Sequence, residues 1–337
     1  MLCSISCNHR HRVLSEDNSY CLNHDSIIDL EEKDILSPSL ISVISQGLLI
    51  GSDNRDSCSI SIIAENTVAK GIEYGEGPSE IFELSSIRKV MDNVQIYDSR
   101  KGIISLLMVS GNSISMINVI DGIRLLDDAA LINDSVILSV HVDKPYSYAL
   151  YSTAGNKIDT LTYFPPSPKG IKPFTQSLNN TGSLDIMYPQ KIFARSTVFD
   201  GGVDFFSFEN NSLKHIFRHC IFDKSYTTGT DGISPSPTED SRVGYTSIKA
   251  SDKLFYASFS NDRVFENPEG ITNKIHVFSP TGCLLAQYIL DCKFSEFAVS
   301  KDDTRIYALV DSDKTKIAVF NIIPDVLCDL SGYFDEK

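Results

Sequence analysis

The sequence lacks any basic cluster: 30 Lys and Arg stand against 44 Asp and Glu, a net charge of −14 over 337 residues, and the isoelectric point is near 4.9. Nucleic acids and anionic membrane surfaces are polyanions that need Lys or Arg to displace their counterions. The charge balance therefore excludes both as direct partners and leaves neutral or cationic small molecules, sugars and proteins. A long apolar run is missing too. The greasiest windows, such as Ser135 to Val142, are short and broken by Asp or Ser, far below the roughly 18 apolar residues that span a bilayer. The eight cysteines (Cys3, Cys7, Cys21, Cys58, Cys220, Cys283, Cys292 and Cys328) form no C-x-x-C pair and no Cys/His spacing suited to zinc. Cys283 and Cys292 could face each other across a sheet, and buried free thiols are the alternative. There is no G-x-S-x-G elbow to support serine hydrolysis, and no segment holds an apolar period of 3.6 for four turns.

What is present is strand signal: short runs of Ile, Val, Phe, Tyr and Ser separated by Gly, Asn, Asp and Pro. Apolar or aromatic strands are centred near Ile50, Leu107, Tyr148, Phe206, Tyr256 and Tyr307, at intervals of 57, 41, 58, 50 and 51 residues. Each has a strand-like neighbour before it, such as Val94 to Tyr97 or Tyr245 to Ala250, and another after it, such as Ser212 to His219 or Lys316 to Ile322. Units of three or four antiparallel strands recurring at this spacing predict an all-β, six-bladed β-propeller. The last unit has no fourth strand of its own. Ser26 to Leu30 is suited to complete it, so the N-terminal strand is expected to pair with the last blade and remove an open edge. The expected organisation is a flexible leader or lipoprotein tether over 1–24, the propeller over 25–325 and a tail over 326–337. The loop-rich stretches 164–174 and 227–242 read as insertions on one rim.

Few residues carry a chemical signature. His215 and His219 have H-x-x-x-H spacing, but in a strand-like run, where four residues span about 13 Å, so they cannot share an ion. His9 and His11 precede the domain, and His24, His141 and His276 are isolated. Asp127-Asp128, Asp302-Asp303 and Asp311-x-Asp313 lack the stepped oxygens and Gly of a calcium loop and read as turn residues; Lys301-Asp302-Asp303 has the look of a tight hairpin. No metal and no cofactor is expected. A propeller binds ligands where its central tunnel opens, and the largest loops there are 227–245 and 261–273, which nominate Arg242, Tyr245, Asp262 and Arg263 as binding residues.

Gly75-Glu76-Gly77-Pro78-Ser79-Glu80, the stretch Tyr245 to Ser258, and the closing stretch Ile275 to Phe320 together resemble the TolB-like six-bladed propeller proteins of Bacteroides and relatives. Ser79 stands where that family prefers Gly, which bears on whether the backbone there turns with positive φ. Ser4-Ile5-Ser6-Cys7-Asn8 is similar to the end of a bacterial lipoprotein signal, with Cys7 as the residue to be acylated; a frayed terminus is the alternative. The resemblance implies an envelope location, in the periplasm or at the outer membrane, and a fold, but no reaction. The function expected is a binding or interaction module for a protein, peptide or glycan, touching a membrane only through a lipid anchor. A hydrolase or lyase acting on a carbohydrate or peptide is the alternative, since blades can converge catalytic groups from distant parts of a chain. A purely structural assembly protein would show a large exposed apolar patch.

Overall fold

The computed structural model describes residues 18–322, apart from 46, 53–57, 65–66, 91–92, 111–112, 122–125, 142–143 and 145–146. Two short strands open it, β1 (Ser19–Leu22) and β2 (Ser26–Asp29). The first of four four-stranded sheets is β3 (Pro38–Ile44), β4 (Gly47–Ser52), β5 (Cys58–Ala64) and β6 (Thr67–Glu73). The second is β7 (Leu84–Val90), β8 (Asn93–Asp98), β9 (Ile103–Ser110) and β10 (Ser113–Ile120). The third is β11 (Leu126–Asn133), β12 (Val136–His141), β13 (Tyr148–Ser152) and β14 (Lys157–Leu161). A short helix, α1 (Pro173–Leu178), precedes the fourth: β15 (Leu184–Met187), β16 (Ile192–Ser196), β17 (Gly202–Glu209) and β18 (Ser212–Cys220). A small hairpin of β19 (Tyr226–Thr228) and β20 (Pro235–Pro237) leads to β21 (Tyr245–Ala250), β22 (Phe255–Phe259), β23 (Thr272–Phe278), β24 (Leu284–Val299), β25 (Arg305–Val310) and β26 (Lys316–Asn321). These last six strands and β2 form one continuous sheet in the order β2-β26-β25-β24-β23-β22-β21, with β1 added parallel to β24.

Each sheet is an antiparallel meander with apolar residues on both faces, so it must be covered on both sides. Six apolar clusters do the covering. One joins the first and second sheets through Leu49, Ile62, Ile87 and Ile96. The next joins the second and third through Tyr97, Ile104, Ala129 and Ile137. Leu138, Leu150, Phe193 and Phe206 join the third to the fourth, and Phe205, Tyr245, Phe255 and Phe278 join the fourth to β21–β23. Tyr256, Val277, Phe297 and Phe320 lie between the two halves of the long sheet, and Ile41, Ile50, Leu309 and Ile317 return from its far half to the first sheet. The sheets therefore form a ring, a β-propeller. The pairing expected for its N-terminal strand is present: Ser26 to Asp29 are in register with Val319 to Lys316.

Strand assignment departs from expectation at one place in each of the four four-stranded sheets. In the second, third and fourth sheets, the three expected strands are the second to fourth, and the innermost strands β7, β11 and β15 were not anticipated. In the first sheet the unanticipated strand is the outer one, β6. Residues 19–22, expected in a leader, form β1 and lie in register with Gln287 to Leu290. Cys7, His9, His11 and the tail 326–337 lie outside the described residues.

In such meanders the turns alternate between two ends. The connections from sheet to sheet (30–37, 74–83, 162–183, 221–244) and the turn 260–271 fall on one face of the ring. The short turns from each innermost strand to the second, such as 188–191, 251–254 and 300–304, fall on the other.

Candidate functional site

The innermost strands bring together charges far apart in sequence. Arg88 on β7 is almost fully enclosed, and every nitrogen of its guanidinium is used. Nε donates to Leu184 O at 2.9 Å, Nη1 to Ser86 Oγ at 2.8 Å and Ala129 O at 3.1 Å, and Nη2 to the Asp128 carboxylate on β11. Burial works against this charge, but Asp128 and Asp185 outweigh it and raise the Arg88 pKa above its ordinary value. Arg195 on β16 makes the equivalent link to Asp127, whose own carboxyl is pushed up by burial against the pull of Arg195. Asp127 and Asp128 thus correct the expectation of solvated turn residues: both are strand residues in nearly dry ion pairs. Removing one partner of such a pair costs about 3–5 kcal/mol, because the other is left buried and unpaired. Further round the ring, the Asp185 carboxylate accepts the Ala250 N–H at 2.7 Å, and Lys249 lies 2.7 Å from Glu296.

Inside this belt lies a cavity of about 390 Å³, within the size range of small-molecule sites. Its lining comes from five innermost strands and the turns that follow them: Ser42 and Val43, Ile87 to Lys89, Asp185, Ile186, Tyr188 and Pro189, Lys249 to Asp252, and Ala298, Val299 and Lys301. All of these residues lie at the ends of the strands that lead into the short turns, so the cavity opens on the short-turn face. Its rim is braced: Gln190 Nε2 donates to Asp252 O at 3.0 Å, Asp252 N to Lys301 O at 3.3 Å, and Lys301 Nζ stands 3.4 Å from the Asp252 carboxylate.

The nominated residues sit elsewhere. Arg242 and Arg263 form an isolated backbone bridge between the loops 221–244 and 260–271, on the opposite face, and Arg242 Nη1 donates to Asn261 O at 2.8 Å. The Asp262 carboxylate accepts Ser260 Oγ and Asn267 Nδ2, at 3.1 and 2.8 Å, and so organises its own loop. Tyr245 is enclosed, its hydroxyl 2.8 Å from His276 Nδ1. Burial drives the His276 pKa down to about 3, so that ring is neutral, and its Nε2 lies 3.0 Å from Gln287 Oε1.

The other histidines and acids also have structural employment. A bulge in β18 opposite Phe205/Phe206 turns His215 and His219 toward different neighbours: His215 stacks on Tyr163 at 3.9 Å and bonds Asp204, whereas His219 meets the edge of Phe278. A second polar knot surrounds them. Arg218 bridges Asp200 and Asp204, and Tyr163 donates to Asp204 at 2.7 Å. Lys224 reaches Asn179 O, Asn180 Oδ1 and, at 3.7 Å, Asp200. Burial lowers the Lys224 pKa to about 8 against the opposing pull of Asp200. The two ammonium and guanidinium charges are matched by two carboxylates, and the knot ties the insertions 162–183 and 221–244 to the fourth sheet. Asp302-Asp303 does form the expected hairpin, with Asp303 at φ 59° and its carboxylate accepting Tyr256 OH at 2.8 Å. In Gly75 to Glu80 the Glu80 carboxylate folds back onto Gly77 N–H at 2.6 Å, and a Cβ at Gly75 would overlap that carboxylate. Lys101 holds the same loop through the carbonyls of Gly77 and Glu80, and Ser79 does not have positive φ.

Among the described residues no three His, Cys, Asp or Glu side chains converge as a metal set, and no helix is long and apolar enough to cross a membrane. Cys21, Cys220, Cys283 and Cys292 are free thiols, with Cys21 and Cys283 exposed rather than buried.

No protein-family model matches the chain, and no curated protein matches it in sequence. Similar solved structures include one described as U3-55K (11% identity, TM-score 0.49, 89% of this chain and 100% of that one). Another is described as a mitotic checkpoint complex (11%, 0.49, 89% and 95%), and a third as the WD40 repeats of RRP9 (11%, 0.49, 90% and 99%). It is the strand order and the ring of clusters above, not these neighbours, that define the propeller.

Proposed function

We propose that this chain is a six-bladed propeller that acts as a binding module, with its ligand held at the short-turn mouth of the central channel. The blade count follows from dividing the long sheet at β24, whose front half, Leu284 to Leu290, pairs with β23 and β1, while Phe294 to Val299 pair with β25. An apolar cluster packs between the two halves, as between any other pair of neighbouring sheets. The observation that carries the functional reading is the cavity of about 390 Å³ at the mouth, assembled from five blades and lined by both apolar walls and charged groups.

The ligand is taken to be a protein segment or peptide, with a glycan as the alternative. An envelope location, the TolB-like kinship and acylation at Cys7 belong to the same proposal and rest on the sequence resemblance alone. Panning a random peptide library against the protein and against Ser42→Phe, which places a ring at a partly exposed position of the cavity lining, tests the reading. Enrichment by the parent that disappears in Ser42→Phe but persists in Arg263→Ala is expected; enrichment that survives the filled cavity contradicts it. Circular dichroism establishes that both variants keep the β-fold.

A further inference from the structure

We propose that the channel mouth is a carboxylate site, shaped for an apolar body that ends in a single carboxylate; this rests on the reading of the channel as the ligand site. The lining divides in two. Val43, Ile87, Ile186, Ala250, Ala298 and Val299 form apolar wall, and the remainder is dominated by Arg88, Lys89, Lys249 and Lys301 against Asp185 and Asp252.

The carboxylates that pair with two of the cations stand outside the cavity. Glu296, the partner of Lys249, and Asp128, the partner of Arg88, do not line the space, so the lining itself carries four cations against two carboxylates. The two groups deepest in the belt are already engaged. Arg88 spends its nitrogens on the protein and contributes charge only, and Asp185 has one oxygen on Ile186 N–H at 2.9 Å and the other on Ala250 N–H. Donors for a ligand come instead from the lysines. An ammonium has three N–H groups; Lys249 directs one at Glu296, and Lys301, with a side chain 54% exposed, lies 3.4 Å from Asp252, beyond ordinary hydrogen-bond length. Asp252 shares the rim and repels a second negative charge there. The complement of this surface is therefore one carboxylate attached to an apolar body, as found in a free alkanoic acid or in the carboxyl terminus of a chain with an apolar last residue.

Calorimetry with octanoate, with the free-acid peptide acetyl-Ala-Val-Leu and with its carboxamide tests this. Binding of either acid, at least tenfold tighter than the carboxamide or octanol and weakened by added salt, supports the site. Octanoate alone binding identifies a free acid as the source, and the peptide acid binding identifies a chain terminus. Lys301→Gln should weaken binding at least fivefold, while Lys253→Gln, on the neighbouring turn 251–254 but outside the lining, should change it less than twofold. Equal binding of acid and carboxamide, or no binding of any probe at millimolar concentration, overturns the proposal. Should peptide enrichment still depend on an open cavity in that case, the binding-module reading stands and only the carboxylate assignment falls.

Discussion

At the scale of single residues, buried polar groups here cross-link neighbouring blades, as Arg88 does, or tie the strands of one blade together, as His276 does. Its ring lies between Tyr245 OH and Gln287, stacked at 4.4 Å on Phe259, with His219 and Lys274 adding positive charge nearby. Its folded pKa of about 3 lies below the unfolded value of 6.5, so the unfolded chain binds more protons between those limits. Stability from this group is complete above pH 6.5 and is lost as pH falls toward 3, on the order of a few kcal/mol in all. His276→Gln keeps a hydrogen-bonding side chain without the titration. The variant is expected to be somewhat less stable than the parent at pH 7 and to lose less on acidification, so that urea denaturation curves converge or cross near pH 4. Parallel curves for the two proteins across pH 7 to 4 would refute the assignment. The same burial explains why Tyr245, reasonable as a loop-edge binding residue by position, is core: nothing in the run Tyr245 to Ala250 distinguishes an aromatic facing the next blade from one facing solvent.

At the scale of elements, the outer and middle strands were legible because they alternate apolar and polar residues or run apolar throughout. Three of the innermost strands, and the outer strand β6, were not. β7 (Leu84–Val90), β11 (Leu126–Asn133) and β15 (Leu184–Met187) carry Arg88, Lys89, Asp127, Asp128 and Asp185, whose charges belong to the channel belt and break the pattern that marks a strand. The uneven spacing of the expected repeat has the same origin: Ile50, Tyr256 and Tyr307 lie on second strands of their blades, whereas Leu107, Tyr148 and Phe206 lie on third strands. The pairing of the N-terminal strand with β26 was legible, since Ser26 to Asp29 has the composition of a strand with no partner nearby in sequence. β1 and β2 attach to the two halves of the long sheet, and Leu22 and Leu30 are buried there. Removing residues 1–29 should therefore expose the edge of β26, lower the melting temperature by at least about 5 °C and promote association through that edge. An unchanged melting temperature and a monomeric elution profile would show that these strands are dispensable.

At the scale of the whole molecule, the ring separates two surfaces that differ in construction. The long insertions, with Arg242, Asp262 and Arg263, form one face and include, among the described residues, the most exposed large apolar side chain, Phe265, at 65%. The cavity opens on the other, among short turns, and could not be read from the sequence because its lining runs from Ser42 to Lys301 and is assembled only when five blades close. Loop length pointed to the first face; convergence of charge and enclosed volume points to the second. Hydrogen exchange with and without the tightest peptide from the library panning separates them most directly. Protection of the amides at 42–43, 88–89, 186–188, 249–252 and 298–301, with 224–244 and 261–271 unchanged, is the predicted footprint. Protection confined to the long loops would place the ligand on the opposite face and contradict the account.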